Sequence, residues 1–127
     1  MCSSDLLEPD RVRFVDGSIL DDEAMAAASR GAKTIFHLAA IGSVPRSVEF
    51  PHRTWMVNAT GTLRVLEAAR AAGCERVMIA SSSSIYGDQP QLPKVETQSP
   101  SPLSPYAASK LAAEHLLRAY KIGRAHV

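Results

Sequence analysis

The chain holds two cysteines, three tyrosines, three phenylalanines and one tryptophan in 127 residues. Cys2 and Cys74 lie far apart and in no metal-like spacing, which excludes a disulfide framework or a zinc module as the organising element; no metal is expected. No apolar run approaches the roughly 18 residues that a membrane helix needs. The first residues lack the basic and apolar regions of a signal peptide. A cytoplasmic protein without a membrane partner is therefore expected. An excess of one charge is missing as well: the net charge is +1, which leaves no electrostatic footprint for nucleic acid. The seven glycines are all isolated, so the chain lacks the Gly-x-x-Gly-x-x-Gly turn whose backbone amides, together with a helix end, hold a pyrophosphate.

What remains is an ordinary globular composition, 46% hydrophobic, of one domain at most. The two ends have a peculiar relation. The codons GTG TGC TCT TCC GAT CTT encode Met1 to Leu6 with a GTG start, and their reverse complement encodes Lys-Ile-Gly-Arg-Ala-His, the residues from Lys121 to His126. The word resembles a common sequencing adapter. Residues 1–6 and 121–127 are accordingly expected to be adapter-derived scars, leaving 7–120 for fold reasoning.

Within that span, residues 11–15 alternate in strand fashion. Asp21 and Asp22 precede an alanine-rich stretch to Ala32, and acids before good helix formers suit the positive end of a helix dipole. Residues 34–38 and 76–80 are short apolar runs that predict buried strands. Residues 39–54, with Gly42 and Pro45, read as a loop. A helical pattern runs over 55–72, with Val57, Leu63, Val65, Leu66 and Ala69 on its apolar face and Gly73 as its stop. Residues 81–104 carry most of the proline and serine and read as a long ordered loop. The last helix is predicted over 105–120, with proline in its first turn. Alternation of helices with strands apolar on both faces predicts an α/β fold with a helix-covered parallel sheet.

Tyr106 and Lys110 are four residues apart on the last predicted helix and share a face. A lysine ammonium beside a phenol favours the phenolate, and a tyrosine so tuned can work as an acid or base. Ser81 to Ser84 follow a strand, at the carboxyl edge where parallel sheets bind ligands, and can offer a hydroxyl to the same reacting oxygen. Taken alone, Tyr-x-x-x-Lys is weak and reads first as a plain surface pair on a helix. His37 reads as a packed core histidine, Glu114 and His115 as solvent or interface groups, and Cys74 as half-buried without a partner.

The pair keeps specific company. His37-Leu38-Ala39-Ala40 follows one strand and Asn58-Ala59-Thr60-Gly61-Thr62 lies in a helix. Ser82-Ser83-Ser84-Ile85-Tyr86-Gly87-Asp88 follows the next strand, and Ser104-Pro105-Tyr106-Ala107-Ala108-Ser109-Lys110 opens the last helix. In order and spacing, over about residues 11–120, these motifs resemble the extended short-chain dehydrogenase/reductases, also called the NAD-dependent epimerase/dehydratase family. The resemblance implies a partial Rossmann-type doubly wound parallel sheet, comprising the third to fifth strands of the family fold in a sheet ordered 3-2-1-4-5. It implies NAD as cofactor, Tyr106 as acid/base, and Lys110 on the nicotinamide ribose. Ser82 matches the catalytic Ser/Thr. Leu38, Ala39 and Ala40 would line the cofactor, and Asn58 would brace the strands beside it. Ile19 would pack near adenine, where this chain has Ser18 in place of the family's common aspartate, with Asp16 close by.

A closer resemblance, to UDP-N-acetylglucosamine 4-epimerases, rests on Ala40 to Ser47, on Gly87-Asp88 and Leu92 to Glu96, and on Pro102 to Tyr106. It implies Ser43, Ser82, Ser84 and Tyr106 near a UDP-sugar, with Arg46 a weaker candidate. It also implies a UDP-N-acetylhexosamine 4-epimerase that acts through a transient 4-keto sugar, the whole enzyme being a homodimer. The family's dehydratases carry Asp-Glu where Ser83 and Ser84 stand here, and its decarboxylases a glutamate in the same stretch. Another sugar reductase or dehydratase, or a non-catalytic dinucleotide sensor, remains the alternative. The chain by itself, without the glycine-rich loop, is expected to be inactive.

Overall fold

The first helix begins where an aspartate can cap it. In the computed structural model, which describes residues 11–122, α1 (Asp22–Ser29) starts after Asp21, whose Oδ1 accepts from the backbone N–H groups of Glu23 and Ala24 at 3.0 and 3.1 Å. Gly31, at φ 72°, turns the chain into β1 (Thr34–His37). The remaining elements are α2 (Val44–Glu49), α3 (Pro51–Trp55), a π-helical turn (Met56–Thr60), α4 (Gly61–Ala71), β2 (Arg76–Ile79), a 3₁₀ turn (Ser83–Tyr86) and α5 (Pro105–Tyr120). Residues 1–6 and 123–127 of the expected scars lie outside the described residues. Of the rest, Ile122 is buried in the core cluster that also holds Leu117 and Val77.

β1 and β2 pair in parallel, from Thr34 opposite Arg76 to His37 opposite Ile79, and the helices from α2 to α4 make the crossover that parallel strands require. The result is a partial Rossmann-type α/β fold. Val77 and Ile79 face a core built with Leu66, Ala69, Ala113 and Leu117, so α4 and α5 cover that face of the sheet. The opposite face carries Phe36, which is 66% exposed. The expectation of strands covered on both faces thus holds for one face among the described residues.

Two expectations need correction. Residues 11–15 form no strand: Phe14 is 86% exposed, and Arg13 Nη2 donates to the Ala27 carbonyl of α1 at 2.7 Å. A strand is made by its ladder, and alternation without a neighbour leaves the backbone irregular. Conversely, the stretch read as a loop from Ala39 contains α2 and α3. Pro45 and Pro51 each stand in the first turn of a helix, where a missing N–H costs nothing, and Ser43 caps α2. The expected helix over 55–72 therefore starts earlier and is interrupted. Gly61 N–H donates to Met56 O, five residues back. A Cβ on Gly61 would lie 2.5 Å from Ile19 Cδ1, so glycine is what lets this helix start approach Ile19.

Candidate active site

The loops leaving the carboxyl ends of β1 and β2 carry most of the candidate residues. Leu38 is 71% exposed, and Ala39 and Ala40 are exposed beside it. After β2, Ser82 is half-buried and caps the 3₁₀ turn. Its Oγ accepts from Ser84 N–H at 3.2 Å and donates to Ser84 Oγ at 3.1 Å, so these two candidate hydroxyls form one unit. α5 packs against that turn. Ser104 Oγ accepts from Ala107 N–H at 3.1 Å and starts α5 so that Tyr106 falls in its first turn, half-buried, and Lys110 one turn later. Lys110 is only 8% exposed. Burial lowers its pKa, and the Glu114 carboxylate pulls the other way.

A buried polar chain ties these parts together. Asn58, 2% exposed in the π-helical turn, clamps the Ile41 backbone at two points: its Oδ1 accepts from Ile41 N–H (2.8 Å) and its Nδ2 donates to Ile41 O (3.1 Å). The same Nδ2 donates to Ser109 Oγ at 3.1 Å, and Ser109 Oγ donates to Tyr106 O at 2.7 Å. Thr62 Oγ1 donates to Asn58 O at 2.6 Å and lies 2.9 Å from His37 Nε2. A hydroxyl has one proton to give, so Nε2 carries the hydrogen in that contact. His37 is the buried histidine that the sequence suggests, and its pKa is lowered to about 4, first by burial and then by Lys110.

The structure therefore brings the Ser82–Ser84 turn, Tyr106 and Lys110 onto one end of the sheet, with Asn58 holding the loop after β1 against α5. Ser43 is half-buried and spends one lone pair on Arg46 N–H (3.3 Å) as the cap of α2, while Arg46 itself is exposed. Ile19 sits half-buried against Gly61, and Ser18 and Asp16 are exposed. Sequence reasoning gave Thr62 and Ser109 no role of their own and read Glu114 as a solvent or interface group. Glu114, expected at the solvent or an interface, is half-buried and accepts from Ser81 Oγ. Its position four residues past Lys110 was the available signal.

The chain is similar to known proteins in sequence and in fold. The UDP-glucose 4-epimerase of Mycolicibacterium smegmatis is 44% identical over 114 residues, 88% of this chain and 36% of the relative. A dTDP-glucose 4,6-dehydratase from Streptomyces venezuelae, solved with NAD, superposes with a TM-score of 0.84 at 37% identity, covering 89% of this chain and 35% of that one. A UDP-N-acetylglucosamine 4-epimerase from Methanobrevibacter ruminantium, solved with UDP-N-acetylmuramic acid, gives a TM-score of 0.79 at 32% identity over 84% of this chain and 34% of that one. The chain thus spans about a third of the length of the relatives it matches. Its residues 2–123 match the NAD dependent epimerase/dehydratase family, and the chain belongs to that family.

Proposed function

We propose that this chain supplies the acid/base centre of an NAD-dependent UDP-sugar 4-epimerase whose substrate is a UDP-N-acetylhexosamine. The observation that carries the reading is the face of α5 that sets half-buried Tyr106 one turn before buried Lys110, packed against the serine turn after β2. Tyr106 takes the proton of the sugar 4-hydroxyl and later returns it. The Lys110 ammonium stabilises the phenolate and would hold the nicotinamide ribose of a bound NAD. Ser82 donates to the reacting oxygen once its hydroxyl hydrogen turns from Ser84 Oγ to the substrate, with Ser84 Oγ then donating to Ser82 in return. When bound, NAD supplies the hydride acceptor and donor at the sugar carbon.

The residues present suit the nicotinamide half of that cofactor. A buried cation lies on α5, and the exposed Leu38, Ala39 and Ala40 offer an apolar and small surface at the end of β1. No glycine-rich turn for the pyrophosphate occurs in the chain. Asn58 acts on the site indirectly, by fixing the loop that leads to Ser43. The likeness to the epimerase from Methanobrevibacter ruminantium supports the acetylated sugar, and the resemblance of the stretch from Gly42 to Ser47, where Ser43 caps α2, points the same way.

The test uses the whole protein that contains this chain. Tyr106→Phe is expected to lower turnover by about 10²–10⁴-fold, with NAD binding by calorimetry little changed. Near-normal turnover in that variant refutes the acid/base assignment. Chromatography of products from UDP-N-acetylglucosamine and UDP-glucose decides the sugar. Turnover of only the unacetylated sugar overturns the substrate reading, and a 4-keto-6-deoxy product would identify a dehydratase.

A further inference from the structure

Tyr106, Lys110 and Glu114 follow one another at four-residue intervals along α5 and so stack on one face of the helix. Lys110 lies almost wholly out of solvent, where an ammonium is disfavoured, and the carboxylate that opposes this is Glu114. Glu114 also accepts a hydrogen bond from Ser81 Oγ, the residue directly before Ser82 and just past the end of β2. A single half-buried carboxylate thus acts on the cation of the site and holds the strand end from which the serine turn departs.

Few other charges reach Lys110. His37 faces it from β1, but that imidazole, with its pKa at about 4, is uncharged near neutral pH. On α2 and α3, Arg46, Glu49, His52 and Arg53 are exposed. On α4, Arg64 is paired with Asp22 and Glu67 with Arg70. Tyr86 in the 3₁₀ turn is half-buried. His115 and Arg118 follow Glu114 on α5 and are exposed; with Glu114 and Glu96 they line a cavity of about 630 Å³ between α5 and the loop after the turn.

We propose that Glu114 is a positioning residue of this site, whose carboxylate balances the buried Lys110 ammonium and, through Ser81, fixes the strand end that carries Ser82. The proposal deepens the epimerase reading and rests on Tyr106 and Lys110 being its acid/base pair. An apolar or amide side chain at 114 leaves Lys110 buried without a counter-charge, so its proton is lost at lower pH. It also frees Ser81 to rotate, which loosens the placement of Ser82 relative to the reacting oxygen.

The experiment measures kcat and KM against pH in the whole protein. Glu114→Gln is expected to lower kcat by about 10–100-fold, to leave KM for the sugar nearly unchanged, and to move the alkaline limb of kcat to lower pH. Glu114→Asp keeps the charge and should restore the limb in part. Ser81→Ala should lower kcat without moving the limb, and Glu96→Gln, on the same cavity wall, should change neither. A wild-type kcat and alkaline limb in Glu114→Gln overturn the proposal, as does a kcat loss with the limb unmoved, which would mark a purely structural role. If Tyr106→Phe is inactive while Glu114→Gln behaves as wild type, only this proposal fails; if Tyr106→Phe is itself active, the epimerase reading fails first. Should Glu114→Gln not fold, Glu114→Asp and Ser81→Ala decide, and wild-type profiles in both overturn the assignment.

Discussion

Replacing Asn58 with alanine should damage this fold more than the loss of one polar side chain suggests. The carboxamide makes three hydrogen bonds, two to the Ile41 backbone and one to Ser109 Oγ. The Ser109 bond is fully buried, so water cannot replace the lost donor, and an unsatisfied buried group costs roughly 1–3 kcal/mol. The Ile41 pair is partly exposed, and each of its bonds is worth roughly 0.5–1.5 kcal/mol net. Together Asn58→Ala should cost roughly 2–6 kcal/mol, a large share of the roughly 5–15 kcal/mol that stabilises a typical domain. Urea unfolding of the whole protein measures it, and a double-mutant cycle with Ser109→Ala isolates the buried bond. A loss below about 0.5 kcal/mol would refute the reasoning, because a surface substitution commonly does no more. Asn58→Asp retains the acceptor for Ile41 N–H and loses both donations, so it should also destabilise.

His37 predicts an acid-sensitive fold. Its folded pKa of about 4 lies below the unfolded 6.5, so the unfolded chain binds more protons between those values. Stability present above pH 6.5 should then fall as pH drops through about 4, by up to about 3 kcal/mol; His37→Gln should flatten that part of a stability–pH curve, and an unchanged slope would count against burial as the cause. Gly87 stands at φ 61°, and a Cβ there would lie 2.2 Å from Ser101 O, so Gly87→Ala should cost at least about 1–3 kcal/mol in denaturant unfolding; a neutral result would show that the loop yields. Residues 7–120 expressed alone should show neither a cooperative thermal transition nor micromolar NAD affinity, because Phe14, Phe36 and Leu38 are 86%, 66% and 71% exposed and β1 pairs with β2 alone among the described residues. Scanning and titration calorimetry would expose the opposite outcome directly.

The sequence by itself carries the local half of this protein. Ser104 and Pro105 mark the start of α5, and the structure begins it there, because capping and proline geometry depend on neighbours in the chain. The four-residue spacing of Tyr106 and Lys110, the existence of β1 and β2, and the motifs that reveal the family are likewise local. Where local signals conflict, the pattern misleads: Gly42 and Pro45 suggest a loop, yet a proline in the first turn and a serine cap make α2. The alternation over 11–15 is a strand in prospect that only a neighbouring ladder could realise. What the tertiary structure alone decided is which polar groups meet. Asn58 and Ser109 are 51 residues apart and His37 and Thr62 are 25 apart, and each pair meets only because α4, α5 and the sheet pack together. The same packing takes Lys110 out of water and sets Glu114 beside Ser81. Hydrogen bonds and desolvation depend on distance in space, and periodicity along the chain has no term for either.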